Sequence, residues 1–115
     1  MKTIVKLGEF DTGLCSGCEF NHSGGDGWLT IHVDDIGNKT IKFKRIRFFN
    51  FTAMPNCTPE MITAYFELVD LGDTKELASF IANDQSFVKA YDSLKHFRIY
   101  LDETGCYDIF AEHAE

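Results

Sequence analysis

Residues 40–52 read Thr40-Ile41-Lys42-Phe43-Lys44-Arg45-Ile46-Arg47-Phe48-Phe49-Asn50-Phe51-Thr52, and this stretch decides the predicted fold. It has no glycine or proline and is rich in β-branched and aromatic residues, as is typical of a strand. Hydrophobic and basic residues alternate over 41–44 and over 46–48, but the two series are out of phase. One extra residue restores the phase, so we predict a single long strand with a β-bulge near Lys44 and Arg45. We expect Phe43, Ile46 and Phe48 to be largely buried.

Other short apolar segments are predicted to be strands that pair with residues 40–52. They are residues 2–7, 28–34, 64–71, 95–102 and 106–112. Turn-forming residues at 35–39 and 103–105 predict two hairpins. Six of the nine glycines fall within residues 8–27. We expect a long loop there, interrupted at most by a short strand near residues 18–21.

Helix signals appear at three places. Thr58 before Pro59 predicts an N-cap and the first residue of a short helix. Asp73 is the predicted cap of a second helix that ends at Asn83, with Leu77, Phe80 and Ile81 forming one apolar stripe. A third short helix is predicted over residues 86–94. The sum is a single α+β domain, residues 1–115, with a predominantly antiparallel β-sheet or sandwich and two or three short helices.

Charge is unevenly distributed along the 115 residues, whose net charge is −7. Residues 1–57 carry seven basic and six acidic residues, whereas residues 58–115 carry four basic and twelve acidic residues. An acidic half argues against nucleic-acid binding and suits a cationic partner, although it also simply favours solubility. Lys6 interrupts the apolar run near the N-terminus, so neither a signal peptide nor a membrane span is expected. We therefore expect a cytoplasmic protein with reduced cysteines.

The residues that favour chemistry are few. Cys15 and Cys18 have the CxxC spacing of zinc ligands, and His22 follows four residues later, but no second ligand pair of similar spacing occurs. Whether these three residues bind a metal stays open, and we expect no cofactor. A dyad of Cys57 with His96, or a pair of catalytic carboxylates, is the alternative to our prediction that the protein is not an enzyme.

The basic run at residues 39–47, followed by three phenylalanines, also fits RNA binding on an aromatic sheet surface. The acidic net charge opposes this alternative. We expect the basic side chains to pair instead with acidic neighbours on adjacent strands.

Several short patterns within residues 41–112 resemble a family of small bacterial cytosolic proteins that includes proposed toxin-immunity proteins. The matching residues are Arg45-Ile46-Arg47-Phe48, Cys57-Thr58, Tyr65 with Leu68-Val69, residues 73–77, residues 97–102, Gly105-Cys106-Tyr107 and Ala111-Glu112. Asn56 departs from the pattern, where we expect His, and residues 8–27 have no counterpart. The resemblance implies an immunity protein, as in contact-dependent growth inhibition, that binds and blocks one toxin domain and has no catalytic residue.

A nuclease toxin binds a polyanion, so its active cleft is basic and can be occupied by carboxylates. Predicted turns place such carboxylates at Asp34, Asp35, Asp70, Asp73, Asp102 and Glu103, and the expected aromatic anchors are Tyr65, Tyr100 and Tyr107. We therefore expect a tight 1:1 complex with a basic toxin domain. The alternative is a homo-oligomeric structural or small-ligand-binding module without a toxin partner.

Overall fold

A computed structural model describes residues 1–8, 11–84 and 93–115, in which nine strands and two α-helices are found. They are β1 Lys2–Lys6, β2 Cys15–Ser23, β3 Asp26–Val33, β4 Lys39–Lys44, β5 Phe48–Ala53, α1 Pro59–Ile62, β6 Glu67–Asp70, α2 Lys75–Asn83, β7 Lys95–Leu101, β8 Gly105–Ala111 and β9 His113–Ala114. One-turn 3-10 helices occupy Thr12–Leu14 and Met54–Asn56. None of the helices in these ranges is long and apolar enough to cross a membrane.

The strands form two sheets, and neighbouring strands in each are antiparallel. One sheet has five strands in the order β1-β6-β7-β8-β5, and the other has four in the order β2-β3-β4-β9. The predicted α+β fold, predominantly antiparallel with few short helices, is confirmed. The core lies between the sheets, where Leu29, Ile31 and Phe43 of one sheet meet Phe97 and Ile99 of the other. Burying each such side chain stabilises the fold by about 1.5–3 kcal/mol.

The predicted long strand at residues 40–52 changes sheet halfway along. Lys44 pairs with His113 in the four-stranded sheet, and Phe48 pairs with Phe110 in the five-stranded sheet. Residues 45–47 therefore oppose only residues 111–112, so the extra residue expected from the phase shift is present. Arg45 has the left-handed φ of 55°. The prediction of one uninterrupted strand is wrong, because the irregularity bends the chain from one sheet into the other and ends the first strand.

This change of sheet exposes side chains that the sequence assigned to the core. Phe43, in the interior of the four-stranded sheet, is 1% exposed, whereas Phe48 is 42% exposed and Ile46 is half-buried. The predicted burial of Phe48 is wrong, because β5 is an edge strand that pairs only with β8. The outer face of an edge strand has no second layer against which to pack unless a helix covers it.

The glycine-rich segment holds a long strand rather than the expected loop. β2 spans nine residues and pairs with β3 along nearly its full length. Gly24 and Gly25, both at positive φ, form the tight turn between them, and a register shift falls between Cys15 and Gly17. The glycines thus serve a hairpin turn and a bulge, which are positions where positive φ is needed.

The two helices begin at side-chain caps. Thr58 Oγ1 accepts a hydrogen bond from the Met61 N–H at 3.3 Å, as predicted. Thr74, not Asp73, caps α2, since its Oγ1 accepts from the Leu77 N–H at 3.1 Å. This corrects the predicted cap by one residue. The helix predicted at residues 86–94 lies outside the described residues, except at its end.

The strand predicted at residues 64–71 is shorter than expected. β6 begins only at Glu67, because Phe66 has a left-handed φ of 53° that interrupts the extended backbone. Phe66 and Leu68 are nevertheless both buried in the core between the sheets.

Candidate functional site

A polar cluster lies on the outer face of the five-stranded sheet, away from the core. Arg98 pairs across the sheet with Asp108, and Asp108 pairs with Asn50 on β5. His96 pairs in the next row with Phe110. Since side chains alternate between the faces of a strand, all of these residues share the face opposite Phe97 and Ile109.

Asp108 is the centre of this cluster. Its Oδ1 accepts hydrogen bonds of 2.7 Å from both His96 Nε2 and Arg98 Nε. Their side chains are 1% and 12% exposed, and that of Asp108 is 10% exposed. Burial alone raises the pKa of Asp108, but hydrogen bonds from His96 and Arg98, together with the Arg98 charge, lower it below its ordinary value. Asp108 is therefore ionised at neutral pH, and His96 Nε2 must carry the donated proton.

The cluster continues from His96 to helix α2. His96 Nδ1 lies 2.8 Å from Oγ1 of Thr74, the residue that caps α2. Carboxylate, imidazole and hydroxyl thus follow one another as in a nucleophilic triad. However, the His96 ring is almost fully buried, and the Thr74 hydroxyl is occupied by the helix cap. This arrangement anchors the start of α2 to the sheet.

The structure does not join Cys57 to His96, the dyad considered from sequence. Both ring nitrogens of His96 are engaged with Thr74 and Asp108. The Cys57 thiol donates instead to the carbonyl oxygen of Thr52 at 3.4 Å. Cys106 is buried beside Asp108, and burial raises the pKa of its thiol to about 12. Burial therefore favours the protonated thiol of Cys106, and the Cys57 thiol bonds a backbone carbonyl rather than His96.

A groove of about 560 Å³ lies between α2 and the outer face of the five-stranded sheet. Its walls combine aromatic and polar side chains: Phe48, Phe80, Phe110, Met61, Asn50, Glu76, Ser79, Asn83, Asp84, His96, Arg98 and Asp108. Arg47, in the bend between β4 and β5, pairs with Asp84 after α2 at 2.7 Å. This ion pair links the C-terminal end of α2 to the sheet, as Thr74 and His96 link its beginning.

Two of the three predicted acidic turns meet at one end of the molecule, which we call the acidic end: Asp34, Asp35, Asp102 and Glu103. The Tyr65 hydroxyl donates to Thr12 Oγ1 at 3.0 Å and lies 3.4 Å from Asp102 Oδ2. Two residues after Thr12, the carbonyl of Leu14 accepts from the Asp34 N–H at 2.8 Å. These contacts link the two turns through Tyr65 and residues 12–14.

Asp70 and Asp73 lie at the opposite end of the five-stranded sheet. Asp70 pairs with Phe97 near the start of β7, whereas Asp102 follows the end of that strand. Five residues of extended chain separate the two levels, a distance of roughly 16 Å. Asp70 and Asp73 are therefore not part of the same surface as the acidic end.

Of the three predicted tyrosine anchors, only Tyr65 is well exposed, at 41%. Tyr100 is 4% exposed because it lies in the central strand β7 and stacks on Tyr65, with ring centroids 6.1 Å apart. Tyr107 packs against the core, and its hydroxyl lies 3.6 Å from Cys18 Sγ. Burial raises the pKa of Tyr107. The prediction that Tyr100 is a surface anchor is thus wrong, and Tyr107 is only partly exposed.

An exposed aromatic surface, which the sequence interpretation assigned in part to the core, runs along β5. Phe48, Phe49, Phe51 and Met54, which we call the β5 edge, are each 41–43% exposed. No charged residue occurs in Phe48–Ala53. The Met54 N–H donates to the Thr104 carbonyl at 3.1 Å, so the β5 edge ends beside the acidic end. The signal for this surface was that aromatic residues occur at both even and odd positions of the strand. Side chains at even and odd positions point to opposite faces, and only one face can point into the core.

Cys15, Cys18 and His22 lie along β2, where the chain is extended. Cys18 packs towards the core, and burial raises the pKa of its thiol. The His22 ring is exposed and stands 5.5 Å from that of Phe49. In the described part of the chain, no group of three or more His, Cys, Asp or Glu side chains is arranged to hold a metal ion.

Two residues of the basic run form ion pairs, but not with carboxylates on adjacent strands as expected from sequence. Arg45 Nε lies 3.3 Å from Glu112 Oε2 on the neighbouring chain segment. Arg47 pairs with Asp84, which follows a helix rather than lying on an adjacent strand.

The molecule is thus a two-sheet α+β domain with an uncharged aromatic edge, an acidic end and one groove under α2. No protein-family model, curated protein or solved structure was found to match this chain. The resemblance to immunity proteins accordingly remains a prediction from the sequence.

Proposed function

We propose that this protein is an immunity protein that binds and neutralises a basic toxin domain in a 1:1 complex, without catalysis. The observation that carries the proposal is the β5 edge, an uncharged aromatic edge strand that ends beside an acidic end. An apolar centre next to a charged rim is the usual composition of a protein–protein interface. That the partner is a toxin is proposed from the sequence resemblance alone. That the partner is a basic protein is supported by the aromatic and acidic surfaces.

The edge position of β5 favours a protein ligand. An edge strand presents unpaired backbone N–H and C=O groups, and monomeric proteins usually protect such edges with lysine, proline or a bulge. β5 instead carries Phe48, Phe49 and Phe51, and aromatic residues are enriched among the side chains that dominate binding energy. A partner strand or loop that covers this edge would satisfy the backbone groups and bury the rings of Phe49 and Phe51, which lie on one face of the strand.

The acidic end selects for positive charge in that partner. The carboxylates of Asp34, Asp35 and Glu103 form no ion pair within the described ranges of the chain. Uncompensated charge of this kind accelerates association with a basic surface such as a nuclease cleft. A second copy of the chain would bring the same acidic end and a further net charge of −7, which opposes self-association. The β5 edge itself carries no charge and would not repel a second copy, and this is the one feature that favours the homo-oligomeric alternative.

Binding to a toxin domain encoded by a neighbouring gene tests the proposal, with growth protection as a second readout, and the lack of any such gene would count against it. Replacing Asp34, Asp35 and Asp102 by Asn and Glu103 by Gln should slow association about tenfold at low salt. The control removes two charges at the other end of the sheet, by replacing Asp70 and Asp73 with Asn, and it should associate like the parent. If the control slows association as much as the quadruple variant, net charge rather than the acidic end governs binding.

The β5 edge is tested separately from the acidic end. Phe51→Ala should accelerate dissociation of the complex, corresponding to a loss of about 2 kcal/mol, as expected for an aromatic anchor. Light scattering of the protein alone distinguishes the alternative: a stable dimer that Phe51→Ala dissociates would favour the homo-oligomeric module. Unchanged affinity and unchanged protection by the Phe51→Ala variant would refute the proposed interface.

A further inference from the structure

We propose that the groove under α2 binds a small organic carboxylate with an apolar body, such as an aryl or alkyl acid. The site is formed by the outer face of the five-stranded sheet and α2, and it does not depend on the proposed toxin binding. Its volume of about 560 Å³ is within the range of small-molecule sites. Three features carry the inference: an open arginine fork, a rigid polar floor and aromatic walls.

The open fork belongs to Arg98. Arg98 uses Nε for Asp108, and no acceptor within the described residues engages its two terminal nitrogens. No fully buried side-chain nitrogen or oxygen of the described chain lacks a partner. The terminal nitrogens are therefore reached by solvent, and Arg98 lines the groove. Two parallel N–H donors of a guanidinium match the two oxygens of a carboxylate.

The floor around Arg98 is held in place before any ligand arrives. Asp108 fixes Nε of Arg98 at 2.7 Å, and His96 ties Asp108 to Thr74 at the start of α2. The ion pair of Arg47 with Asp84 fixes the other end of the helix. A fork whose orientation is already set loses little conformational entropy when it binds an anion, and this favours a small ligand.

The walls are suited to the apolar body of such a ligand. Phe48, Phe80 and Phe110 form a cluster with ring centroids 5.1–5.8 Å apart, and Met61 also lines the groove. A carboxylate on Arg98 would place the attached carbon chain among these side chains. Glu76 lines the groove and is exposed, so a cationic amine is the competing ligand class that the experiment must separate.

Three probes of one shape separate the ligand classes in titrations of the whole protein followed by NMR and calorimetry. They are phenylacetate, its neutral amide phenylacetamide, and the cation 2-phenylethylamine. Phenylacetate should bind saturably and about tenfold or more tightly than either of the others, because a charge-assisted bidentate contact is lost in both. No saturable binding of phenylacetate up to about 10 mM, or equal binding of the amide, would overturn the proposal. Tighter binding of 2-phenylethylamine would also overturn the proposal, because it would show that the groove prefers a cation to a carboxylate.

Two variants and one control test whether the ligand binds in the groove. Arg98→Lys keeps a positive charge opposite Asp108 but lacks the planar fork, so phenylacetate should bind about tenfold more weakly. Ser79→Phe adds a ring on the groove side of α2 and should abolish binding. Ala78→Phe adds the same ring to the same helix at a position that does not line the groove, and should leave binding unchanged. If Arg98→Lys unfolds, the two α2 variants still decide, because equal binding by both would exclude the groove.

Discussion

Asp108→Asn is the substitution with the most clearly defined physical consequence. The change keeps the shape of the side chain and removes its charge, so Arg98 is left 12% exposed without its counter-charge. Two 2.7 Å hydrogen bonds, from His96 and Arg98, lose the carboxylate charge at their acceptor. Charge-assisted bonds are worth about 1.5–3 kcal/mol each, and breaking a buried ion pair costs about 3–5 kcal/mol. Since the amide oxygen still accepts, we expect a loss of about 3 kcal/mol in the free energy of unfolding.

The pH dependence gives this prediction a sign that a simple packing defect would not show. The pKa of Asp108 in the folded protein lies below its ordinary value of 3.8. The ionised carboxylate therefore stabilises the fold above that value, and this contribution is lost as the pH falls through the folded pKa. The difference in unfolding free energy between the parent and Asp108→Asn should be constant above about pH 5 and should shrink below about pH 4.

Urea unfolding, followed by circular dichroism and by the fluorescence of Trp28, measures both effects. Asp102→Asn is the matched control, because Asp102 lies on the turn of the same hairpin and is exposed. That control should cost less than about 0.5 kcal/mol. A loss below about 1 kcal/mol for Asp108→Asn at neutral pH, or a difference from the parent that persists at low pH, would refute the argument that ionised Asp108 holds the cluster together.

Three further stability predictions use the same urea assay. Gly105→Ala should destabilise by about 2 kcal/mol or more, because φ is +147° and a Cβ would collide with a backbone carbonyl; a neutral result would contradict the hairpin geometry. Phe43→Ala should cost about 3–5 kcal/mol while Phe48→Ala costs about 1 kcal/mol, and similar losses would contradict the sheet switch. Thr74→Ala should cost about 1–2 kcal/mol and Asp73→Ala almost nothing, whereas the reverse order would restore Asp73 as the cap.

Local patterns in the sequence correctly predicted the features that depend only on residues close to one another in the chain. Leu29, Ile31 and Val33 alternate with polar residues, and all three are buried on the inner face of β3. Thr58 before Pro59 caps α1 because both the cap and the fixed φ of proline act within one turn of helix. These signals depend on a few consecutive residues, so they do not require knowledge of the tertiary arrangement.

The sheet to which a strand belongs is not a local property. The pattern at residues 40–52 predicted the alternation and the extra residue near Arg45, and both are present. It did not indicate that the chain would turn into a second sheet there, because an out-of-phase alternation is the same for a bulged strand and for a bent one. The burial of Phe48 was predicted wrongly for this reason.

The candidate surfaces were predictable residue by residue but not as groups. Asp34 and Asp102 were identified as turn residues, yet only the contacts of Tyr65 with Thr12 and Asp102 show that their turns meet. Tyr107 has the same parity as the buried Ile109 on β8, so alternation alone indicates that it faces the core. The cluster around Asp108 joins residues from two strands and a helix, and no spacing in the sequence connects them.

The change of sheet at residues 45–47 links the two surfaces to which we assign binding. Because the chain leaves the four-stranded sheet at Arg45, β5 becomes an edge strand, and Phe49 and Phe51 remain exposed. The same bend places Arg47 where it pairs with Asp84 and places Phe48 in the groove wall beside α2. The exposed rings are thus a consequence of the bend, and the two faces of β5 supply two different surfaces: an edge suited to a protein and a groove suited to a small acid.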